Sequence, residues 1–139
     1  MKTLVIDGQG GQLGSQLIKA IRNKYDDMYI MAVGTNATAT ASMMKAGANQ
    51  GATGENPVIV ASRKADVIIG PIGIVIADAL LGEITSKMAV AIGQSDATKI
   101  LIPINKCENL VAGVQNLTTT ALIEDTLKKL QDVIDQKCL

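Results

Sequence analysis

The segment Leu4-Val5-Ile6-Asp7-Gly8-Gln9-Gly10-Gly11-Gln12-Leu13-Gly14 decides the fold. Leu4-Val5-Ile6 is an unbroken apolar run, the pattern of a strand covered on both faces in a parallel sheet rather than half-exposed. Gly8 to Gly14 then places four glycines in seven residues. Glycine there lets the backbone turn sharply, lets an anion approach main-chain N–H groups, and lets the next helix pack close on the sheet with its N-terminus toward the anion. From Gln12 onward Leu13, Leu17, Ile18 and Ile21 recur at helical spacing, and Asn23 to Asp27 closes that helix with polar residues.

The same strand–turn–helix unit recurs downstream. Met28 to Val33 is the second strand. Gly34-Thr35-Asn36 is its turn, with Asn36 placed to cap a helix from Ala37 to about Lys45. The glycine-rich stretch Ala46 to Gly54 holds a short third strand and another turn. Asn56-Pro57 has the form of an N-cap followed by the first helical residue, starting a helix through Lys64, although Val58-Ile59-Val60 alone has strand composition. Asp66 to Ile69 is the fourth strand. Gly70-Pro71-Ile72-Gly73 turns it into a helix, Ile74 to Leu81, that is apolar on nearly every side and must be buried in the domain or against a second copy. Gly82 interrupts it before a further segment, Thr85 to Ile92.

Ile100-Leu101-Ile102 is the fifth strand and Leu110 to Val114 a sixth. Pro103 to Asn109 is too short for a parallel crossover, which makes the sixth an antiparallel edge strand. The last helix runs from Thr119 to Lys137, with Leu122, Leu127, Leu130 and Ile134 on one face. Glu124 with Lys128 and Asp125 with Lys129 stand in the favourable order four apart. The expected architecture is a single three-layer, Rossmann-like α/β domain over 1–139. Its crossovers are right-handed and its sheet, of five to six strands, is mostly parallel.

Composition narrows the function classes. With 139 residues and 47% hydrophobic content, the chain suits one core. Lys+Arg 13 against Asp+Glu 13, with Phe 0, Trp 0 and Tyr 2, argues against a general nucleic-acid binder and leaves room only for local contact. Met1-Lys2 leads straight into the first strand and leaves no room for a signal peptide, so a cytoplasmic location is expected. The apolar stretch Val67 to Leu81 carries Gly70, Pro71, Gly73 and Asp78, which suits a strand, turn and helix and not a membrane span. Cys107 and Cys138 are too few for a disulfide scaffold and are expected as free thiols. The chain has no histidine. That removes Ser-His and Cys-His nucleophile pairs and histidine metal ligands, and no structural metal is expected.

In a doubly wound sheet, ligands bind at the carboxyl ends of the strands, where the strand order reverses. The candidate binding residues therefore lie in four turns. Gly8, Gln9, Gly10, Gly11, Gln12, Leu13 and Gly14 would take a phosphate through their N–H groups. Thr35 and Asn36 would meet a sugar. Gly54, Glu55 and Asn56 form the third turn, and Gly70, Pro71, Ile72 and Gly73 would border the base or the reactive end.

Read as G-x-x-G-x-x-G through Gly8, Gly11 and Gly14, with Gln12-Leu13-Gly14, the first loop resembles the cofactor loop of the extended short-chain dehydrogenases. The resemblance covers the first strand, turn and helix, and implies NAD(P) or another nucleotide as cofactor. The chain departs from those enzymes in lacking Tyr-x-x-x-Lys: neither Tyr25 nor Tyr29 has a lysine four residues on. Hydride transfer by their route is thereby disfavoured. At the end of the second strand Thr35 and Asn36 stand where an acidic residue would hold a ribose diol. Asp7, at the mouth of the loop, repels a phosphate unless it accepts loop N–H bonds or shares a cation. The opposing reading is that the glycines only make a tight turn.

A wider resemblance rests on Ile6-Asp7-Gly8-Gln9-Gly10-Gly11, Gly34-Thr35-Asn36-Ala37-Thr38-Ala39-Thr40, Ala46-Gly47-Ala48-Asn49, Gly51-Ala52-Thr53-Gly54-Glu55-Asn56, Ile69-Gly70-Pro71-Ile72-Gly73-Ile74 and Ile102-Pro103. Together these resemble a small bacterial family catalogued as domain of unknown function 3842. The resemblance implies a stand-alone cytoplasmic domain and carries no activity with it.

Other residues have a bland reading beside a functional one. Cys107 beside Lys106 is either an activated thiolate or, more simply, a free surface cysteine. Glu55 and Glu83 are either bases or cation holders near the cleft, or carboxylates complementing a helix dipole. Asp78 faces the cleft or a subunit interface. Arg63 and Lys64 read as the solvated end of a helix. The expected function is a small-molecule-binding module for a phosphate-bearing ligand, a nucleotide or dinucleotide, in sensing or regulation. The alternatives are a small nucleotide-using enzyme with Asp7 or Glu55 as acid–base group, and an oligomeric interaction protein with a vestigial loop. A homo-oligomer joined through Ile74 to Leu81 is expected on each.

Overall fold

The computed structural model describes residues 1–104 and 108–137. Its elements are β1 (Lys2–Asp7), α1 (Gln12–Lys24), β2 (Tyr29–Gly34), α2 (Ala37–Lys45), β3 (Gln50–Thr53), α3 (Glu55–Lys64), β4 (Val67–Pro71), a 3-10 turn (Ile72–Val75), α4 (Ser86–Gln94), β5 (Thr98–Ile102) and α5 (Thr119–Lys137). The described strands form one parallel sheet of order β3-β2-β1-β4-β5. The chain builds outward from β1 to β3, then crosses back to lay β4 on the other side of β1. The order thus reverses between β1 and β4, as in the Rossmann arrangement. Val5, at the centre, pairs with Ala32 on one side and Ile69 on the other.

The apolar runs explain themselves once both faces are covered. Val5, Ile30, Ala32, Val67 and Ile69 pack with α1, α2 and α5, whereas Leu4, Ile6, Met31, Val33 and Ile68 pack with α3, α4 and the 3-10 turn. A strand with buried side chains on both faces has no polar alternation to show.

Four expectations about elements require correction. Ile74 to Leu81 is not a helix. The chain makes the 3-10 turn and then a compact loop in which Asp78, Leu80, Leu81 and Gly82 all have positive φ, at 67°, 57°, 54° and 86°. β-branched Ile74, Val75 and Ile76 are poor helix formers, and the loop tucks Ile74, Ala79, Leu80 and Ile84 into the core. Ala77, Asp78 and Leu81 are exposed, Leu81 at 99%. The stretch therefore offers no apolar helix to a second copy. The later segment is α4, with the Thr85 hydroxyl accepting the Met88 N–H at 3.1 Å as its cap.

Asn56 does not cap α3. Gly54 does, at φ 107°, and Pro57 lies in the first turn, where its missing N–H leaves no bond unmade. Gly70 and Pro71 belong to β4 and are buried, so no turn lies there. Leu110 to Val114 forms no strand. Leu110 is 95% exposed and Gly113, at φ 81°, turns the chain, so among the described residues β5 is an edge strand, as β3 is on the other side, and the sheet is wholly parallel.

In α5 the buried row is Ile123, Thr126, Leu130 and Val133, with Leu122, Leu127 and Ile134 half-buried beside it. Thr126 can be buried because its hydroxyl donates to Leu122 O at 2.8 Å. Asp125 and Lys129 form the expected ion pair at 2.5 Å. Cys107 and Cys138 lie outside the described residues.

Candidate functional site

Because every described strand runs the same way, the turns after β1, β2 and β3 share one edge of the sheet. The first is closed by the Gly11 N–H donating to Gly8 O at 2.9 Å, with Gly11 at φ 73° leading into α1. Asp7, 6% exposed, holds both ends of it. Its Oδ1 accepts the Gly8 N–H at 2.8 Å and its Oδ2 the Gly14 N–H at 2.7 Å. Burial pushes the Asp7 carboxyl upward, the Gly14 and Gly8 amides pull it back, and the Glu83 charge adds to the rise; the balance lies above the ordinary carboxylate value. Asp7 thus accepts loop N–H bonds at both ends of the turn. Both its oxygens are held by main-chain amides and so support the turn.

Most of the loop's glycines are required by packing. A Cβ on Gly11 would stand 2.8 Å from Ala39 Cα, and one on Gly14 would stand 2.6 Å from Met43 Sδ and 3.0 Å from Asp7 Cβ. These glycines bring α1 close against α2 and β1. Gly10 differs. A Cβ there meets nothing nearer than Gln12 Cγ at 4.0 Å, and its φ is not in the left-handed region. The N–H groups of Gly10, Gln12 and Leu13 also find no acceptor among the described residues. They stand at the N-terminus of α1, where the helix dipole favours negative charge.

The second turn is bound to the first. The Thr35 N–H donates to Asp7 O at 3.0 Å, the Asn36 side-chain amide to Gln9 O at 2.9 Å, and the Ser42 hydroxyl to Gly10 O at 3.2 Å. Asn36 caps α2 as expected, its Oδ1 accepting the Ala39 N–H at 2.9 Å.

Between the two turns sits Glu83, brought across from the loop before α4. Its Oε1 accepts the Thr35 hydroxyl at 2.5 Å, the Asn36 side-chain amide at 2.8 Å and the Gln9 N–H at 3.1 Å. Burial pushes the Glu83 carboxyl up, but the bonds from Thr35, Gln9 and Asn36 together outweigh it and hold it below the ordinary value. The sequence marks Glu83 only as one carboxylate near a helix. The signal for its position was the missing acid after β2: Thr35 and Asn36 offer donors with no acidic acceptor of their own in the turn.

The third turn connects more loosely. The Gly54 N–H donates to Gly34 O at 2.9 Å, and Glu55 Oε1 accepts the Thr85 hydroxyl at 2.8 Å, while Asn56 is exposed on α3. Gly70, Pro71 and Gly73 are buried and do not line an open edge. A Cβ on Gly70 would lie 2.5 Å from Ile6 O, so this glycine serves the close approach of β4 to β1. A groove of about 520 Å³ between α3 and α4, lined in part by Ile59, Arg63, Lys87 and Val90, shares no residue with these turns. Among the described residues no group of three or more His, Cys, Asp or Glu could hold a metal, and no helix is long and apolar enough to cross a membrane.

A family model described as a domain of unknown function, DUF3842, matches residues 2–135. The chain belongs to the DUF3842 family. No curated protein matches this DUF3842 chain. Among solved structures it is similar to a dodecameric FMN-dependent Ubix-like decarboxylase from Escherichia coli O157:H7. The identity is 15%, over 100% of the DUF3842 chain and 96% of the other, with a TM-score of 0.45.

Proposed function

We propose that this DUF3842 domain is a small-molecule-binding module whose glycine loop takes a phosphate-bearing ligand, a nucleotide or dinucleotide, in a sensing or regulatory role. One observation carries the reading. Among the described residues Gly10, Gln12 and Leu13 present N–H groups without an acceptor at a helix N-terminus, and Gly10 is the loop glycine that no packing contact requires. Dispensable to the turn, it keeps clear the approach an anion would need. Gly11 and Gly14 alone would fit the opposing view that the glycines only make a turn.

Sensing is favoured over catalysis because Asp7 is held by Gly8 and Gly14, Glu55 accepts the cap hydroxyl of α4, and the chain has no histidine. Neither carboxylate is an unengaged base beside the loop. The test is a titration of the ¹⁵N-labelled protein with ADP. Saturable shifts at the amides of Gly10, Gln12 and Leu13 are expected. Shifts confined to other residues, or none at millimolar ADP, would remove the nucleotide reading.

A further inference from the structure

We propose that Glu83 is an internal ligand: its carboxylate occupies an anion subsite made by the Gln9 N–H, the Thr35 hydroxyl and the Asn36 side-chain amide, and a phosphate-bearing ligand displaces it on binding. This rests on the phosphate reading of the loop and adds the control of that site.

The donors come from two separate turns and converge on a single oxygen, Glu83 Oε1. A cluster that only donates is built for a negatively charged acceptor, here supplied by the chain. The occupied subsite adjoins the open one in the same loop: Gln9 N–H is taken, while Gly10, Gln12 and Leu13 N–H find no acceptor among the described residues. An oligophosphate lying along the loop would therefore reach the Glu83 position with one of its oxygens and compete for the same donors.

Packing supports the seat independently of the hydrogen bonds. A Cβ on Gly8 would stand 2.5 Å from Thr35 Oγ1, 2.9 Å from Leu80 Cδ1 and 3.1 Å from Glu83 Oε1. Only a residue without a side chain lets Thr35, Leu80 and Glu83 close over β1. The carrier loop is pinned on both sides of Glu83, by Leu80 and Ile84, 3% and 0% exposed. Glu83 follows Gly82 and is itself half-buried. Rotation of its own side chain releases the donors while both anchors stay in the core, so opening the subsite requires no unfolding of the loop. With the competent state only partly populated, the apparent affinity of an anion falls by that fraction.

The experiment is calorimetric titration of inorganic pyrophosphate into the wild type, Glu83→Ala and Glu83→Gln, with amide spectra of each. Glu83→Gln keeps the shape of the side chain and guards against a folding defect in Glu83→Ala. Both variants are expected to bind pyrophosphate roughly tenfold tighter or more, with the Gln9 amide joining those that shift. Equal affinity in all three proteins, with shifts at Gly10, Gln12 and Leu13, would overturn the internal ligand and leave the phosphate reading standing. Weaker binding in both variants would also overturn it and make Glu83 a residue that recognises the ligand. Absence of binding in all three would overturn both readings.

Discussion

Thr35 Oγ1 donates to Glu83 Oε1 across 2.5 Å, joining the turn after β2 to a loop 48 residues further along the chain. Thr35→Val keeps the shape and removes the donor. Because Glu83 retains its bonds from Gln9 and Asn36, the expected loss is about 1 kcal/mol, below the range for a bond to a fully buried charge. Urea unfolding of the two proteins measures it, and an unchanged midpoint would contradict the bond.

Glu83 and Asp7 give opposite pH dependences. Glu83 titrates below its ordinary value in the folded protein. Its contribution is therefore present above the unfolded pKa and is lost as pH falls through the folded one. The stability gap between the wild type and Glu83→Gln should narrow when urea unfolding is repeated from pH 7 down through the carboxylate range. A constant gap would exclude the linkage.

Asp7 titrates above its ordinary value when folded. The folded state then binds more protons, so this group lowers stability as pH rises from the unfolded toward the folded pKa. Asp7→Asn substitutes a side-chain amide that must turn its NH₂ toward the N–H of Gly8 or Gly14, leaving one of them unpaired. A loss of about 1–3 kcal/mol at pH 7 is expected, and the gap to the wild type should widen on acidification. Parallel unfolding curves at pH 7 and pH 4 check both signs.

Gly10 and Gly11 are neighbours with opposite roles. Gly11→Ala forces a side chain onto a backbone at φ 73° and within 2.8 Å of Ala39 Cα, which should cost about 2–4 kcal/mol from the left-handed conformation and overpacking together. Gly10→Ala meets open space and should stay within about 0.5 kcal/mol of the wild type. Thermal or urea unfolding separates them, and similar losses for both would remove the distinction on which the ligand reading rests.

The legible parts of the fold were those whose signal is local. The apolar runs of β1, β2, β4 and β5, the Asn36 cap and the 3.6-residue spacing in α1 each name their own structure, and so placed four strands and a helix cap near their observed positions. The failures came where apolar content outran local signal. Ile74 to Leu81 has the composition of a buried helix, but only Ile74, Ala79 and Leu80 are buried, through a 3-10 turn and a loop of positive-φ residues that periodicity cannot register. Leu110 to Val114 has strand composition and no neighbour in the sheet to pair with. The site divided in the same way. Gly8 to Gly14 and Thr35-Asn36 were readable because they follow strands directly, whereas Glu83 reaches Gln9 from 74 positions away, a contact that exists only once α4 and its preceding loop are packed.

The central claim is that the glycine loop is a working phosphate cradle. It is tested most directly by thermal unfolding of the wild type and Gly10→Val against NADPH, NADH, ATP, GTP, coenzyme A, S-adenosylmethionine and inorganic phosphate. A ligand present at a hundred times its Kd adds about 2.7 kcal/mol, a rise of roughly 8–10 °C for a domain of this size. The account predicts such a rise with at least one phosphate-bearing compound in the wild type, and its loss in Gly10→Val, whose own midpoint without ligand is nearly unchanged. A midpoint that no compound moves, or a rise that Gly10→Val retains in full, would contradict it.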